Sequence, residues 1–269
     1  MLEKYSIAVR NYGVGVLDIR ELDKKKLQNV CMSIDAVLKD AFNLESLSST
    51  IGGYLEPLLP PLRHPRICKS RRSRKSFLLN IEYLVHDFGA ICRNLEKTSR
   101  TVFLDLGASL EFHGGTENPA FSLIDLYSKF GIKFDHYYAY EYTLIPPNRM
   151  YESVPQELLP SYHWYNVPVE ELETSKRNPW KSILSAYNEN DLVIVKLDID
   201  SPEIELPLVH QLMQGNYSRV VDHLYFEHHV KMGRMMYNSW GKNSQGTLQD
   251  SLELFTRLRE KGISAHSWV

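Results

Sequence analysis

Two short segments set acids and imidazoles at strand ends. "VIVKLDID" carries Asp198 and Asp200 at the second and fourth positions after Lys196, and "LYFEHH" closes on Glu227, His228 and His229. Side chains alternate along a strand, so Lys196, Asp198 and Asp200 share one face, and Glu227 and His229 share another. If the two strands are neighbours, carboxylates and an imidazole converge. Asp198, Asp200, Glu227 and His229 then make a candidate set for a divalent cation, Mg or Mn. Asp198, Glu227 and His229 are the candidate catalytic groups, because such a mix supplies a general base. The competing structural reading is a hydrogen-bonded polar rim in which Lys196 pairs with an Asp.

A second constellation lies upstream. "TVFLDLGASLEFHGG" runs as an apolar strand to Asp105, and Gly107 follows where a chain would turn. "YAYEYT" places Glu141 at the end of the next strand. An acid at the tip of a second strand, after a glycine turn on the first, can accept both ribose hydroxyls of a nucleotide-like ligand. The alternative is a capping or surface carboxylate. His113 and His228 are further polar candidates at the same edge.

These residues need elements to hold them. From residue 100 onward the chain alternates strand and helix signals. "TVFLDLGA", "DHYYAYEYT", "YHWYNVPV", "DLVIVKLDID", "VDHLYFEHHV" and "ISAHSWV" read as strands. "AFSLIDLYSKFG", "PWKSILSAYNEN", "PEIELPLVHQLMQG" and "TLQDSLELFTRLREKG" read as helices, with Gly131 and Gly262 as C-terminal stops and Pro202 in a first turn. Strict alternation predicts an α/β fold with a mostly parallel sheet and helices on both faces. In such a sheet, ligands bind beyond the carboxyl ends of the strands, where all the candidates fall. Residues 1–99 read as a helical N-terminal extension, with helices over "ELDKKKLQNVCMSIDAVLKDAFNLESL" and "FLLNIEYLVHDFGAICRNLEK". Residues 100–269 form the α/β domain.

Composition narrows the function classes. Net charge is -2 and the hydrophobic fraction 43%, ordinary for a globular protein without a nucleic-acid or membrane bias. No run approaches the ~18 apolar residues of a membrane span. Three cysteines, Cys31, Cys68 and Cys92, lack C-x-x-C spacing, which predicts reduced thiols and a cytoplasmic protein. The start "MLEKYSIAVRNYG" has charges where a signal peptide has its apolar region. One basic run, Arg63 to Lys75, reads as a solvated loop or a lid over the acidic edge. It has no interleaved aromatics, which argues against a single-strand stacking platform, and nucleic acid is not the expected partner.

The strand-end motifs together resemble the class I S-adenosylmethionine methyltransferases, and within them the FkbM-like family. "DLGASLEF" is similar to that family's first-strand motif through Asp105, Gly107, Ala108 and Phe112. Glu141 stands for its second-strand acid. "VKLDIDSPEIE" supplies Lys196, Asp198, Asp200 and Glu203, and "LYFEHH" supplies Glu227. The resemblance spans residues 100–269. It implies a Rossmann-like methyltransferase fold, S-adenosylmethionine as cofactor, and O-methylation of a small molecule or glycan acceptor, with or without a metal. It assigns Asp105, Gly107, Ala108, Glu111 and Glu141 to the cofactor. Glu111 stands where the family has a glycine; it either binds the cofactor's positive charge or fills the pocket. The chain stops after the sixth strand, one short of the family's usual seven. Those departures leave a second reading, a non-catalytic binding protein on the same scaffold.

Overall fold

The computed structural model describes residues 2–15, 18–42, 81, 84–110, 118–230 and 246–268. Glu111, Phe112, His113 and the basic run 63–75 lie outside the described residues. The chain divides into two compact units, residues 1–101 with 111–135, and residues 102–110 with 136–269.

The first unit is helical: α1 (Leu2–Asn11), α2 (Lys24–Phe42), α3 (Phe88–Asn94) and α4 (Pro119–Lys129). Its core gathers Tyr5, Ile34, Val85, Phe88 and Phe130, with Phe88 stacked on Phe130 at 3.9 Å between ring centres. Arg20 bridges Asp18 and Asp135 through its guanidinium and donates to the Ser99 carbonyl at 2.8 Å. The helix expected over 77–97 is shorter in the described residues. Asp87 caps it, its carboxylate accepting from the Ala90 N–H at 2.8 Å, so α3 starts only at Phe88. α4 ends as expected, with Gly131 in the left-handed region at φ +72°.

The cysteines correct the sequence reading. Cys31 on α2 and Cys92 on α3 form a disulfide, Cα atoms 5.5 Å apart, across a sequence separation of 61. α2 and α3 pack against each other, which brings together two thiols that no local spacing connects.

The second unit is an α/β sheet. Its strands are β1 (Thr101–Leu106), β2 (His136–Tyr140), β3 (Tyr162–Tyr165), β4 (Leu192–Leu197), β5 (His223–Phe226) and β6 (Ser264–Ser267). They lie in the order β3-β2-β1-β4-β5-β6. Pairing is parallel for β1·β2, β2·β3, β4·β5 and β5·β6. At the central β1·β4 seam the carboxyl ends also meet, since the Asp198 N–H donates to the Leu106 carbonyl at 3.0 Å. β1 and β4 are buried along their whole length, which is why both read as apolar runs, interrupted only by Thr101, Asp105 and Lys196. β3 is an edge strand and half-exposed throughout.

The helices of this unit are α5 (Pro147–Ser153), α6 (Pro179–Ser182), α7 (Pro202–Gln214) and α8 (Leu248–Glu260). The helix expected over "PWKSILSAYNEN" is one turn, α6, followed by a 3-10 turn at Leu184–Ala186. The buried Trp180 indole fixes it, donating to the Leu208 carbonyl at 2.9 Å. α8 carries a full capping box from Thr247 and Asp250.

Register then does the positioning. Leu106 lies opposite Tyr140, Tyr140 opposite Tyr165, Leu197 opposite Phe226, and Phe226 opposite Ser267. The strands therefore end level, and residues 107, 141, 166, 198 and 227 emerge at one edge. The order reverses between β1 and β4, which opens a crevice there.

Packing makes three outcomes testable. Without reductant, denatured protein exposes one thiol of the three cysteines to a thiol reagent. Cys31→Ser lowers stability by about 4 kcal/mol in urea melts, the chain-entropy value for a loop of this length. Burial raises the Asp222 carboxyl to about 7 from 3.8, against the Val193 N–H bond and with help from the Asp191 charge. Between those values the folded chain keeps a proton that the unfolded chain releases. Stability therefore falls as pH rises from about 4 to 7 and levels off above. Asp222→Asn, which still accepts from Val193, flattens that slope; an unchanged slope in pH-dependent urea melts refutes the assignment.

Candidate functional site

The site begins at the turn after β1. Gly107 has φ +93°, and a Cβ there would stand 1.7 Å from the Asp198 carbonyl oxygen. Both facts require glycine. The turn folds back on β2. The N–H groups of Gly107 and Ala108 both donate to the Tyr140 carbonyl, at 3.0 and 2.9 Å, and the Ser109 N–H donates to the Gly107 carbonyl at 2.9 Å. These amides are thus already engaged within the fold.

Beneath the turn lies a buried ion network. The Lys196 ammonium is 3.1 Å from an Asp105 oxygen, 3.1 Å from the Gly107 carbonyl and 3.4 Å from an Asp198 oxygen. Tyr137 donates to the other Asp105 oxygen at 2.7 Å. Asp105 is 0% exposed and Lys196 1%. Burial opposes the lysine's charge, but Asp105 and Asp198 outweigh it and hold its pKa above the ordinary value. The expected pairing of Lys196 with an Asp is thus present twice.

Above the turn is a cavity of about 530 Å³ at the β1–β4 crevice. Gly107, Ser109, Glu141, Val169, Asp198 and Asp200 are among its lining residues. No lysine or arginine lines it among the described residues. Glu141 stands on its β2 wall, its carboxylate accepting from the Thr143 N–H at 2.6 Å. Asn166 clamps that wall, donating to the Glu141 and Thr143 carbonyls at 2.7 Å each and accepting from the Ile145 N–H at 3.0 Å. Asp105 and Ala108 are fully buried below the turn and do not line the cavity.

The β4 and β5 tips carry the acid and histidine cluster. β4 ends at Leu197, and Asp200 sits at φ +56°, so a turn rather than strand alternation brings Asp200 to the cluster. His229 Nε2 is 3.4 Å from an Asp200 oxygen and 3.4 Å from a Glu227 oxygen. Its Nδ1 is 3.4 Å from a Glu205 oxygen. Glu205, on the first turn of α7, is 1% exposed and accepts from the Ile199 N–H at 2.8 Å. Trp268 donates to Asp198 at 3.1 Å. Glu205, Trp268 and Tyr137 are thus parts of the arrangement that strand-end reasoning missed. Only "SPEIE" offered a signal, by setting acids in a helix's first turn. His228 turns elsewhere: its ring stacks on Phe226 at 5.3 Å, and burial lowers it to about 4.

The electrostatics divide the two inner acids. Burial raises Asp198, but the Lys196 charge and the Glu227 hydrogen bond prevail, and its pKa lies below the ordinary value. Burial and the Asp198 charge drive Glu227 well above its ordinary value. The two carboxyls are thus driven apart in acidity. Burial disfavours the charge on His229, yet Asp200, Glu205 and Glu227 raise it to about 12.

Comparison with family models, with curated proteins and with solved structures finds no match for this chain.

Replacing the buried cation tests the network. Lys196→Met leaves the Asp105 carboxylate buried without its partner, at a cost of roughly 3–5 kcal/mol. Asp105→Asn combined with Lys196→Met loses less than the sum of the single changes. Additive losses in urea melts would show that the two residues act apart.

Proposed function

We propose that the chain is an S-adenosylmethionine-dependent methyltransferase with a Rossmann-like methyltransferase fold, acting on an oxygen of a small-molecule or glycan acceptor. The cavity at the β1–β4 crevice carries this reading. It is of ligand size, lies where the strand order reverses, and is lined by Glu141, Asp198 and Asp200, with no lysine or arginine among its described lining residues. The amides of Gly107, Ala108 and Ser109 are bonded to Tyr140 and within the turn, so among the described residues of the turn these are not open to a phosphate. Such a lining disfavours dinucleotides and nucleoside phosphates. It suits a nucleoside that bears positive charge on a sulfonium and an ammonium.

Glu141 would accept the ribose hydroxyls, held in place by the Asn166 clamp. Asp198 and Asp200 would face the cofactor's positive end. Gly107 keeps the turn low enough for the ligand to pass. The bound cofactor supplies an electrophilic methyl group. The Asp198–Glu227 pair would take the proton that the acceptor hydroxyl loses as its oxygen bonds to the methyl carbon, the carbon–sulfur bond breaking to leave S-adenosylhomocysteine. His229 braces Glu227 and Asp200. In-line approach of the acceptor is the remaining requirement, and both carboxyls lie on the β4–β5 side of the crevice.

The second reading, a non-catalytic binding protein on the same scaffold, is favoured by Asp105, which Lys196 and Tyr137 hold below the cavity floor. No helix of the described residues is long and apolar enough to cross a membrane. The Cys31–Cys92 disulfide favours an oxidising compartment over the cytoplasm.

Calorimetric titration decides between the readings. S-adenosylmethionine and S-adenosylhomocysteine bind with Kd on the order of micromolar, and ATP does not. Glu141→Ala weakens both by roughly 10–100-fold, the loss of a charged hydrogen-bond acceptor. Absence of binding by either compound rejects the transferase and leaves the scaffold.

A further inference from the structure

We propose that Asp200, Glu227 and His229 bind a divalent transition-metal ion, and that Glu205 is the residue that aims His229 at it. The inference concerns the ion alone and stands apart from the cofactor reading. One ligand atom from each of the three residues lies within 4.8 Å of the others. His229 Nε2 is 3.4 Å from both carboxylate oxygens. Two donors on one ion at about 2.1 Å stand about 3.0 Å apart in octahedral and about 3.4 Å apart in tetrahedral geometry. The two histidine spacings therefore already match bound-ion geometry, and the Asp200 and Glu227 oxygens, within 4.8 Å of each other, complete the set.

The surroundings support the same assignment. A metal-bound histidine commonly gives its other ring nitrogen to a carboxylate, which fixes tautomer and ring direction. Glu205 occupies that place on Nδ1, and its own position is fixed by the Ile199 N–H. Three carboxyls, two of them buried, surround one imidazole, which sets several oxygen donors around a single ring nitrogen donor. The cluster is also reachable. Asp200 lines the cavity and its side chain is 78% exposed. Three protein ligands with an open side is the pattern of a working rather than a sealed metal site.

Asp198 drops out of the ligand set. Its carboxylate faces Lys196 and Trp268, and it is not one of the three converging donors. The donor chemistry also selects the ion. One imidazole with two carboxylates suits Zn²⁺ or Mn²⁺ above Mg²⁺, which prefers oxygen and water.

The test uses the full chain, stripped with a chelator and titrated in the absence of S-adenosylmethionine. Mn²⁺ binding is followed by loss of the free-ion electron paramagnetic resonance signal, and Zn²⁺ by competition with a chromophoric chelator. One ion binds per chain, at least tenfold more tightly than Mg²⁺. The bound Mn²⁺ shows coupling to an imidazole nitrogen, which His229→Gln removes. Asp200→Asn, at a mostly exposed side chain, keeps the melting temperature and weakens binding at least tenfold. Glu205→Gln weakens it by about 10–100-fold, as for other residues that orient a ligand from behind. No saturable binding, Mg²⁺ binding as tight as Mn²⁺, or affinity unchanged in Asp200→Asn overturns the site and leaves His229 as an imidazolium held among carboxylates.

Discussion

The Lys196 ammonium is the constraint on which the edge of the sheet depends. It sits between the two central strands and touches an acid on each, together with the carbonyl of the glycine turn. A cation so deeply buried is tolerable only when its three hydrogens meet fixed oxygen partners. That requirement sets the height of the Gly107 turn against β4. It also commits Asp105 and one face of Asp198 to structure. The cavity above inherits its floor from this arrangement, and its acidity from the carboxylates that Lys196 does not reach.

The same logic separates the two halves of the edge. On the β2 side, the acid Glu141 stands on a loop held by the side chain of Asn166 and is only half-buried. On the β5 side, acids are packed around one histidine and shifted strongly by burial and by each other. A half-exposed carboxylate recognises hydroxyls at little desolvation cost. Buried carboxylates in mutual contact hold protons or cations. One edge thus offers two different chemistries a few residues apart.

Much of this was legible in the sequence because it rests on periodicity. β1 and β4 announce themselves as apolar runs, and Gly131, Gly262 and Pro202 mark helix ends by backbone chemistry alone. The acids at 141, 198 and 227 were found by the rule that parallel strands end together. What escaped depended on contacts between distant segments. Asp105, read as a cofactor residue, is bonded to Lys196, 91 positions away, a contact that no local pattern reveals. Asp200 was named with His229 from the sequence, but it reaches the imidazole through its own left-handed backbone and not through strand alternation. Glu205 needed the first turn of α7 to lie beneath the β5 tip. The cysteine pair needed two helices to pack.

That cysteine pair has a topological consequence. Cys31 and Cys92 close the intervening chain into a covalent ring. A single backbone cut anywhere inside the ring leaves the protein in one covalent piece. The severed segments stay tethered at high effective concentration, so α2 and α3 remain partners after cleavage. The ring is therefore a place where new chain ends could be introduced, or a foreign segment inserted, with the helical unit still held to its own connection.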